Sequence, residues 1–320
     1  MDNLTHSLAG WALGQAGLKR KSRKGLAALI FGANMPDVDV FLGWVPWEPL
    51  ATHRGFTHGL AGGVLLMPPL LAALLWLLDR WQLSRGAEFK SGLPMHFGWL
   101  VALSYIGTLT HPLLDWQTAY AVQLASPFSD VWFHNDSLFI IDVWIWIALG
   151  LAIWLSRRRE RRGGDWQRPA QIALALVGIY IGGNGVLSAL AKDAPTIEAP
   201  YAVPDAIYAS PPPVAFWRRE LAWRQDGQVR WGEYDPFHSP LYLEDFTDPV
   251  PDNMADPVVR EALAAPEIVS FARWSTMPMA RVERDQCSAT VSFGDARFGR
   301  SVEDNRFRET VIVPTPLPGC

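Results

Sequence analysis

LAGGVLLMPPLLAALLWLL, residues 60–78, is an uncharged apolar run in the first third of the chain. A helix of about 20 apolar residues is long enough to cross the hydrocarbon core of a bilayer. Five further apolar segments lie at 4–17, 26–42, 97–113, 138–155 and 172–190. The sequence therefore predicts a polytopic all-α membrane bundle of about six transmembrane helices.

The chain changes character after residue 192. Pro195, Pro200 and Pro204 precede the triplet Pro211–Pro213, and this spacing predicts an extended linker over 193–213. Beyond it, the segments 228–234 and 289–293 alternate as strands do, and 256–265 is typical of a short helix. We expect a membrane domain over 1–192 and a mostly β soluble domain over 214–320.

Basic residues predict how the helices are oriented. With six spans, the loops at 18–24, 79–95 and 156–169 share one side and carry 14 Lys and Arg residues. The loops at 43–58 and 115–136 carry only Arg54. By the positive-inside rule, the basic loops are cytoplasmic. The weakly charged loops and the C-terminal domain then lie on the extracytoplasmic side of a bacterial inner (plasma) membrane.

Several function classes are disfavoured by composition. The two cysteines, Cys287 and Cys320, are too few for a thiolate metal site or a disulfide framework, although they could form one disulfide with each other. Nucleic acid is not an expected partner. The arginine run at 157–162 directly follows an apolar helix, as a topology anchor does, and the C-terminal domain is acidic.

Histidine and aspartate residues gather at the predicted outer ends of the helices. They are His6, Asp37, Asp39, His53, His58, His111, Asp115, His134, Asp136 and Asp142. His111 and Asp115 are four residues apart, so they share one helix face. Ionisable residues at the border of a membrane helix are costly and usually functional. Because the topology rests on Lys and Arg alone, this gathering is independent evidence for a site.

Mixed imidazole and carboxylate ligands suit zinc, manganese or iron better than calcium. We predict one or two divalent ions, zinc first among them. The candidate ligands are His6, Asp37, Asp39, His53, His58, His111 and Asp115. Asp37 or Asp142 could act as general base, Asp142 being alternatively a ligand or the hydrogen-bond partner of one. Arg54 either holds a substrate phosphate or pairs with Asp37 or Asp39.

Three motifs resemble those of the YdjM-type membrane-bound metal-dependent hydrolases. His53-Arg54-Gly55-Phe56-Thr57-His58-Gly59 is similar to that family's H-R-G-[FWL]-[ST]-H-[SG] signature. Met35-Pro36-Asp37-Val38-Asp39 and Thr110-His111-Pro112-Leu113-Leu114-Asp115 are similar to its L-P-D-[IVL]-D and [ST]-H-x-[LI]-x-D motifs. The segments 123–130 and 137–142 resemble the long-tailed branch of the family. Through this family the chain is distantly similar to zinc-dependent phospholipase C.

The resemblance implies a membrane-embedded hydrolase that cleaves a phosphoester by metal-activated water. A site at the outer leaflet makes a membrane lipid or lipid-linked phosphate the expected substrate. The alternative is a protein that binds or transports metal without chemistry, or a membrane scaffold. The partner of the soluble domain is not predicted.

Overall fold

The computed structural model describes residues 1–42, 53–197, 203–240, 243–244 and 247–314. The chain divides close to Gly185 into two compact units. The first is helical and the second is rich in antiparallel sheet, as the sequence predicts.

Among the described residues, six α-helices begin in the first unit. They are α1 (Asn3–Gln15), α2 (Gly25–Gly32), α3 (Met67–Ser84), α4 (Phe97–Asp115), α5 (Val143–Arg161) and α6 (Gln167–Ile197). A short 3-10 helix at Leu18–Arg20 links α1 to α2, and a longer one at Met35–Leu42 follows α2. A π-helix, Leu60–Leu66, runs directly into α3.

The predicted count of six membrane spans is not supported. Among the described residues, three helices are long and apolar enough to cross a bilayer: Leu60–Ser84, Phe97–Asp115 and Gln167–Pro195. Helix α1 has 13 residues and α2 has 8, which correspond to about 20 Å and about 12 Å against a core of about 30 Å. Helix α5 is apolar only over its first two-thirds and ends in arginines.

Helix α2 is held tightly between α1 and α4. Gly10 of α1 and Gly107 of α4 both face the backbone carbonyl of Leu29, and a Cβ at either glycine would lie 2.6 Å from that oxygen. Helix α2 can therefore approach both neighbours only because these positions lack a side chain. Leu29 is fully buried between them.

The basic segments that the sequence places on one side do meet at one end of the first unit. Lys19 pairs with Glu160 of α5 at 2.5 Å, and Arg23 pairs with the buried Asp79 of α3 at 2.8 Å. The backbone of Arg23 also donates to Pro94 just before α4. The other end of α4 carries His111 and Asp115.

Two antiparallel sheets form most of the second unit. Strands β1 (Ala206–Ser210), β2 (Arg219–Gln225), β3 (Gln228–Tyr234) and β4 (Val250–Pro251) pair in sequence order. Strands β5 (Pro278–Arg284), β6 (Ser288–Asp295) and β7 (Glu309–Pro314) form the second sheet, and helices α7 (Pro257–Ala262) and α8 (Val269–Trp274) lie between the sheets in sequence. In register, Ala222 faces Tyr208 and Trp231, and Val291 faces Val282 and Val311.

The predicted elements of this unit are confirmed at 228–234, at 289–293 and in the helix near 257, which Asp256 caps. The segment predicted as a linker is more structured than expected. Helix α6 extends to Ile197, and β1 occupies Ala206–Ser210. The candidate disulfide partner Cys320 lies outside the described residues.

Candidate metal centre

Four buried residues from three segments bring their ligand atoms together. Asp37 lies in the 3-10 helix after α2, His58 lies just before the π-helix, and His111 and Asp115 lie on the last turn of α4. Each offers one imidazole nitrogen or carboxylate oxygen, and these atoms all lie within 4.8 Å of one another. The three segments that carry the sequence motifs thus converge on one point.

The spacing of these atoms is that of a metal coordination shell. His58 Nε2 lies 3.1 Å from His111 Nε2, 3.4 Å from Asp37 Oδ1 and 3.3 Å from Asp115 Oδ2. His111 Nε2 lies 3.2 Å from Asp37 Oδ1 and 3.4 Å from Asp115 Oδ2. Four ligands held about 2.0–2.1 Å from a tetrahedral zinc lie about 3.3–3.4 Å apart. The donor set and its dimensions therefore fit a divalent ion of this kind.

The other ring nitrogen of each histidine fixes its orientation. His111 Nδ1 lies 2.7 Å from the Ala33 carbonyl, so it must carry the proton. Thr57 donates its hydroxyl to Asp39 Oδ2 at 2.6 Å and can therefore only accept from His58 Nδ1, 3.0 Å away. Both Nε2 atoms then present lone pairs to the cluster. Metal-binding histidines in proteins are commonly held by such outer contacts.

A second candidate group adjoins the first and shares Asp37 with it. Asp37, Asp39 and His53 also have ligand atoms within 4.8 Å of one another. His53 Nδ1 lies 3.0 Å from Asp39 Oδ1, and the backbone N–H of Arg54 donates to Asp39 Oδ2 at 3.3 Å. The His53 side chain is 27% exposed, whereas Asp37 and Asp39 are buried. The cluster therefore opens to its surroundings at His53.

Both aspartates of the 3-10 helix are held ionised. Burial alone would raise the pKa of Asp37, but the adjacent rings of His111 and His58 outweigh burial and hold that pKa far below its usual range. Burial likewise opposes ionisation of Asp39, and hydrogen bonds to His53 and His58 lower its pKa. Two buried carboxylates beside three imidazoles form an anionic pocket suited to a cation.

Asp115 faces a different set of groups with its other oxygen. Oδ1 lies 3.1 Å from Arg54 Nη2 and 3.4 Å from His6 Nε2, and it contacts the amino group of Met1. His6 is fully buried and stacks on His111 with ring centroids 3.7 Å apart. Among the described residues, neither ring nitrogen of His6 has a hydrogen-bond partner. Burial lowers its pKa, so the imidazole is neutral, as a ligand must be.

Residues 1–191, which contain every member of the cluster, match the family described as the YdjM inner membrane protein. The chain belongs to the YdjM family. No curated protein and no solved structure matches it. The family match ends near the last turns of α6, so almost all of the sheet-rich unit lies beyond the YdjM region.

Arg54 pairs with an acid other than the two that the sequence suggested. Its side chain is buried, donates to Thr118 Oγ1 at 2.9 Å and pairs with Asp115 rather than with Asp37 or Asp39. Its guanidinium also lies over the ring of Tyr120, 4.8 Å from the centroid. Burial lowers the pKa of Arg54 to about 10, so it stays charged near neutral pH. In this YdjM protein, Arg54 holds the candidate ligand Asp115 in place through an ion pair.

Asp142 lies outside both candidate groups. It is the N-cap of α5, accepting from the backbone N–H groups of Trp144 and Ile145, and it accepts from Tyr180 at 2.9 Å. In the structure its carboxylate caps a helix, and its expected role as base, ligand or partner of a ligand stays a prediction. His134 pairs with Asp136 at 2.8 Å, and neither joins a candidate group.

Sequence reasoning missed the residues that support the ligands. Thr57 lies within the quoted motif with no role at the metal site assigned to it, and in the structure its hydroxyl donates to Asp39. Thr118, which receives Arg54, gave no signal beyond lying three residues after Asp115. No signal in the sequence pointed to the Ala33 carbonyl that orients His111, because any residue type supplies a backbone carbonyl.

Proposed function

We propose that this YdjM protein is a membrane-embedded metal-dependent hydrolase. The observation that carries the proposal is the set of five distances of 3.1–3.4 Å among His58, His111, Asp37 and Asp115. Hydrogen bonding alone does not account for it, because both histidines direct unprotonated nitrogens into the cluster. A protein that needed only packing at this position would have no reason to bury four ligand groups.

One ion would be held by Asp37, His58, His111 and Asp115. A second would share Asp37 and be held by Asp39 and His53. His6 lies beside Asp115 and is a further candidate ligand. Two imidazoles and two carboxylates favour zinc, with manganese or iron also compatible. When bound, such an ion lowers the pKa of a water and polarises the bond to be cleaved.

The chain's own residues then have distinct tasks. Asp37 turns Oδ1 toward His58 and His111, so when only the first ion is bound its second carboxylate oxygen is the one placed to accept a proton as general base. Thr57 and the backbone of Arg54 fix Asp39, and Asp39 in turn fixes His53 at the open side. Arg54 pairs with Oδ1 of Asp115, the oxygen that does not face His58 and His111.

The surroundings of the site favour a lipid substrate. In the 3-10 helix, the buried Asp37 and Asp39 alternate with outward-facing Val38 and Val40, and Phe41 is 70% exposed. Exposed apolar residues beside a candidate span are suited to lipid. We therefore propose an amphiphilic phosphoester, a phospholipid or a lipid-linked phosphate, as substrate. The resemblance to zinc-dependent phospholipase C implies the same type of bond.

The basic end of the helical unit lies at the start of α4, and the cluster lies at the end of α4. By the positive-inside rule, the cluster faces the extracytoplasmic side. A site at one end of the helical unit fits hydrolysis at this face better than it fits metal transport. A transport path would require polar groups through the whole membrane depth.

The test is release of phosphate or head group from defined phospholipids and lipid-linked phosphates by the full-length protein in nanodiscs. We expect activity in the zinc-loaded wild type and in His96→Ala, because His96 lies at the opposite end of α4. We expect no activity in a folded His111→Ala variant. A folded, metal-replete wild type inactive on every substrate would overturn the hydrolase. Metal uptake into liposomes by that protein would support transport.

A further inference from the structure

The last turns of α6 are part of the sheet-rich unit. Ala191 and Ala194 are buried against Leu221, Trp223 and Tyr234 of the first sheet. Ser188 accepts a hydrogen bond of 2.7 Å from Arg219 Nε of β2. The sheet is therefore fixed directly to the end of a candidate membrane span.

The opposite face of α6 at this level is apolar and exposed. Val186 is 63% exposed and Leu190 is 53% exposed. The span begins near Arg168, and about 20 residues cross the hydrocarbon core, so its far boundary falls close to Ser188 and Leu190. The sheet thus joins α6 at the height where the helix leaves the lipid.

Two apolar loop segments lie near this boundary. Arg219, which holds Ser188, also donates from Nη1 to the carbonyl of Phe216 at 2.6 Å, so the loop before β2 lies beside α6. Its neighbour Arg218 pairs with Asp235 at 2.9 Å and brings the turn after β3 alongside. Phe237 on that turn is 79% exposed.

The side chains presented by these loops are poorly suited to water. Val214 is exposed and holds its backbone in the left-handed region at φ 69°, which is unfavourable for a β-branched residue. Phe216 and Phe237 are exposed aromatic rings. Exposed apolar residues on loops that are linked to each other, as Arg218 and Asp235 link these two, usually mark a contact surface.

We propose that Val214, Phe216 and Phe237 form a membrane-contact tip that enters the head-group boundary of the bilayer and seats the sheet-rich domain on the lipid surface. Through Arg219 the tip is held beside the end of α6, and aromatic residues favour this boundary. Because the domain is acidic, attraction to anionic lipid does not hold it there, and apolar insertion is the contribution that remains.

The test places a nitroxide spin label on Phe237→Cys in the full-length protein, reconstituted in phosphatidylethanolamine–phosphatidylglycerol liposomes. Ile312→Cys is the matched control, since Ile312 is 66% exposed on β7 of the other sheet. Wild type taken through the same labelling measures the signal from Cys287 and Cys320. Collision with lipid-soluble oxygen and with a water-soluble nickel chelate is then compared at each position.

We expect the label at 237 to favour oxygen over nickel several-fold and the label at 312 to favour nickel. Val214→Cys should behave like 237, which keeps the test decisive if one variant folds poorly. Equal nickel access at 237 and 312 would overturn the proposal. So would shielding of 237 from both reagents, because that pattern indicates a protein contact instead of lipid. Neither result bears on the proposed hydrolase.

Discussion

His58 Nε2 and His111 Nε2 lie 3.1 Å apart, and when both rings are neutral neither nitrogen has a proton to donate to the other. Each ring commits its Nδ1 proton elsewhere, His111 to the Ala33 carbonyl and His58 to Thr57. Two lone pairs at this distance repel unless a cation lies between them. The pair is therefore the most direct structural support for the proposal that the buried cluster holds a metal ion.

Removing either ring should remove the metal. We expect purified wild type to carry one or two equivalents of zinc, manganese or iron, and His58→Ala or His111→Ala to lose at least one equivalent. His96→Ala, which alters an exposed histidine before α4, should retain the wild-type content. Elemental analysis of the detergent-purified proteins measures this. A folded wild type that takes up no metal after soaking would contradict the assignment.

Thr57 should act through the ligands it orients. Thr57→Val keeps the shape but removes the hydroxyl that donates to Asp39 and accepts from His58. We expect metal affinity to fall about 10- to 100-fold, as for other outer contacts of metal ligands. Thr57→Ser, which restores the hydroxyl, should recover most of it. Competition with a coloured chelator measures the metal affinity of each variant. Equal affinity in Thr57→Val and Thr57→Ser would show that the Thr57 hydroxyl does not support the metal ligands.

Motif spacing in the sequence located most of the candidate site. The four-residue interval of His111 and Asp115 and the pair Asp37 and Asp39 could be read locally, since both depend on neighbours within one helical turn. The partner of Arg54 could not be predicted in this way, because Asp115 is 61 positions away in the chain and several acids were equally suitable. The capping contacts of Asp142 could not be singled out for a related reason. An acid before an apolar helix is as typical of an N-cap as of a ligand.

The number of membrane spans could not be predicted from the sequence for a different reason. Apolar runs at 4–17 and 26–42 indicate burial, but burial among other helices and exposure to lipid demand similar residues. The structure distinguishes them by length and by packing: α2 ends after eight residues, and its Leu29 is enclosed by Gly10 and Gly107. Only tertiary contacts, which single-sequence patterns do not contain, separate the two cases.

Arg54 should matter for stability more than for substrate binding. Arg54→Met leaves Asp115 without its guanidinium partner in a buried site, and breaking such a pair typically costs about 3–5 kcal/mol. We expect a clear fall in Tm together with lower metal content. Arg85→Met, at an exposed arginine, is the control. If Arg54→Met instead kept its Tm and metal and only raised KM, the arginine would be a substrate-binding residue.

Gly62 should be essential for placing His58. A Cβ at Gly62 would lie 2.2 Å from the carbonyl of Phe56, whose backbone leads directly to His58. Because a backbone carbonyl cannot swing aside, Gly62→Ala must displace the 53–58 turn and should reduce both Tm and metal content. Gly98→Ala adds the same methyl group where nothing lies within 4 Å, and it should change neither property.

Asp295 should control the stability of the sheet-rich unit. Its carboxylate is buried with Arg297 Nη2 at 2.7 Å and accepts the hydroxyl of Ser275 at 2.6 Å. Burial would raise its pKa, but Arg297 outweighs burial and lowers it. An acid with a lowered pKa stabilises the fold above its unfolded value of about 3.9 and loses this contribution as the pH falls below it.

Asp295→Asn should therefore destabilise this unit by about 3–5 kcal/mol at pH 7, because it leaves Arg297 buried without its counter-ion. The deficit relative to wild type should shrink as the pH falls below about 4, where the wild-type carboxylate also becomes neutral. Glu267→Gln removes one charge from an exposed position of the same unit and serves as the control. Rates of limited proteolysis of the full-length protein, taken across pH, report the difference. A deficit that stayed constant down to the lowest pH would assign the effect to packing and not to the ion pair.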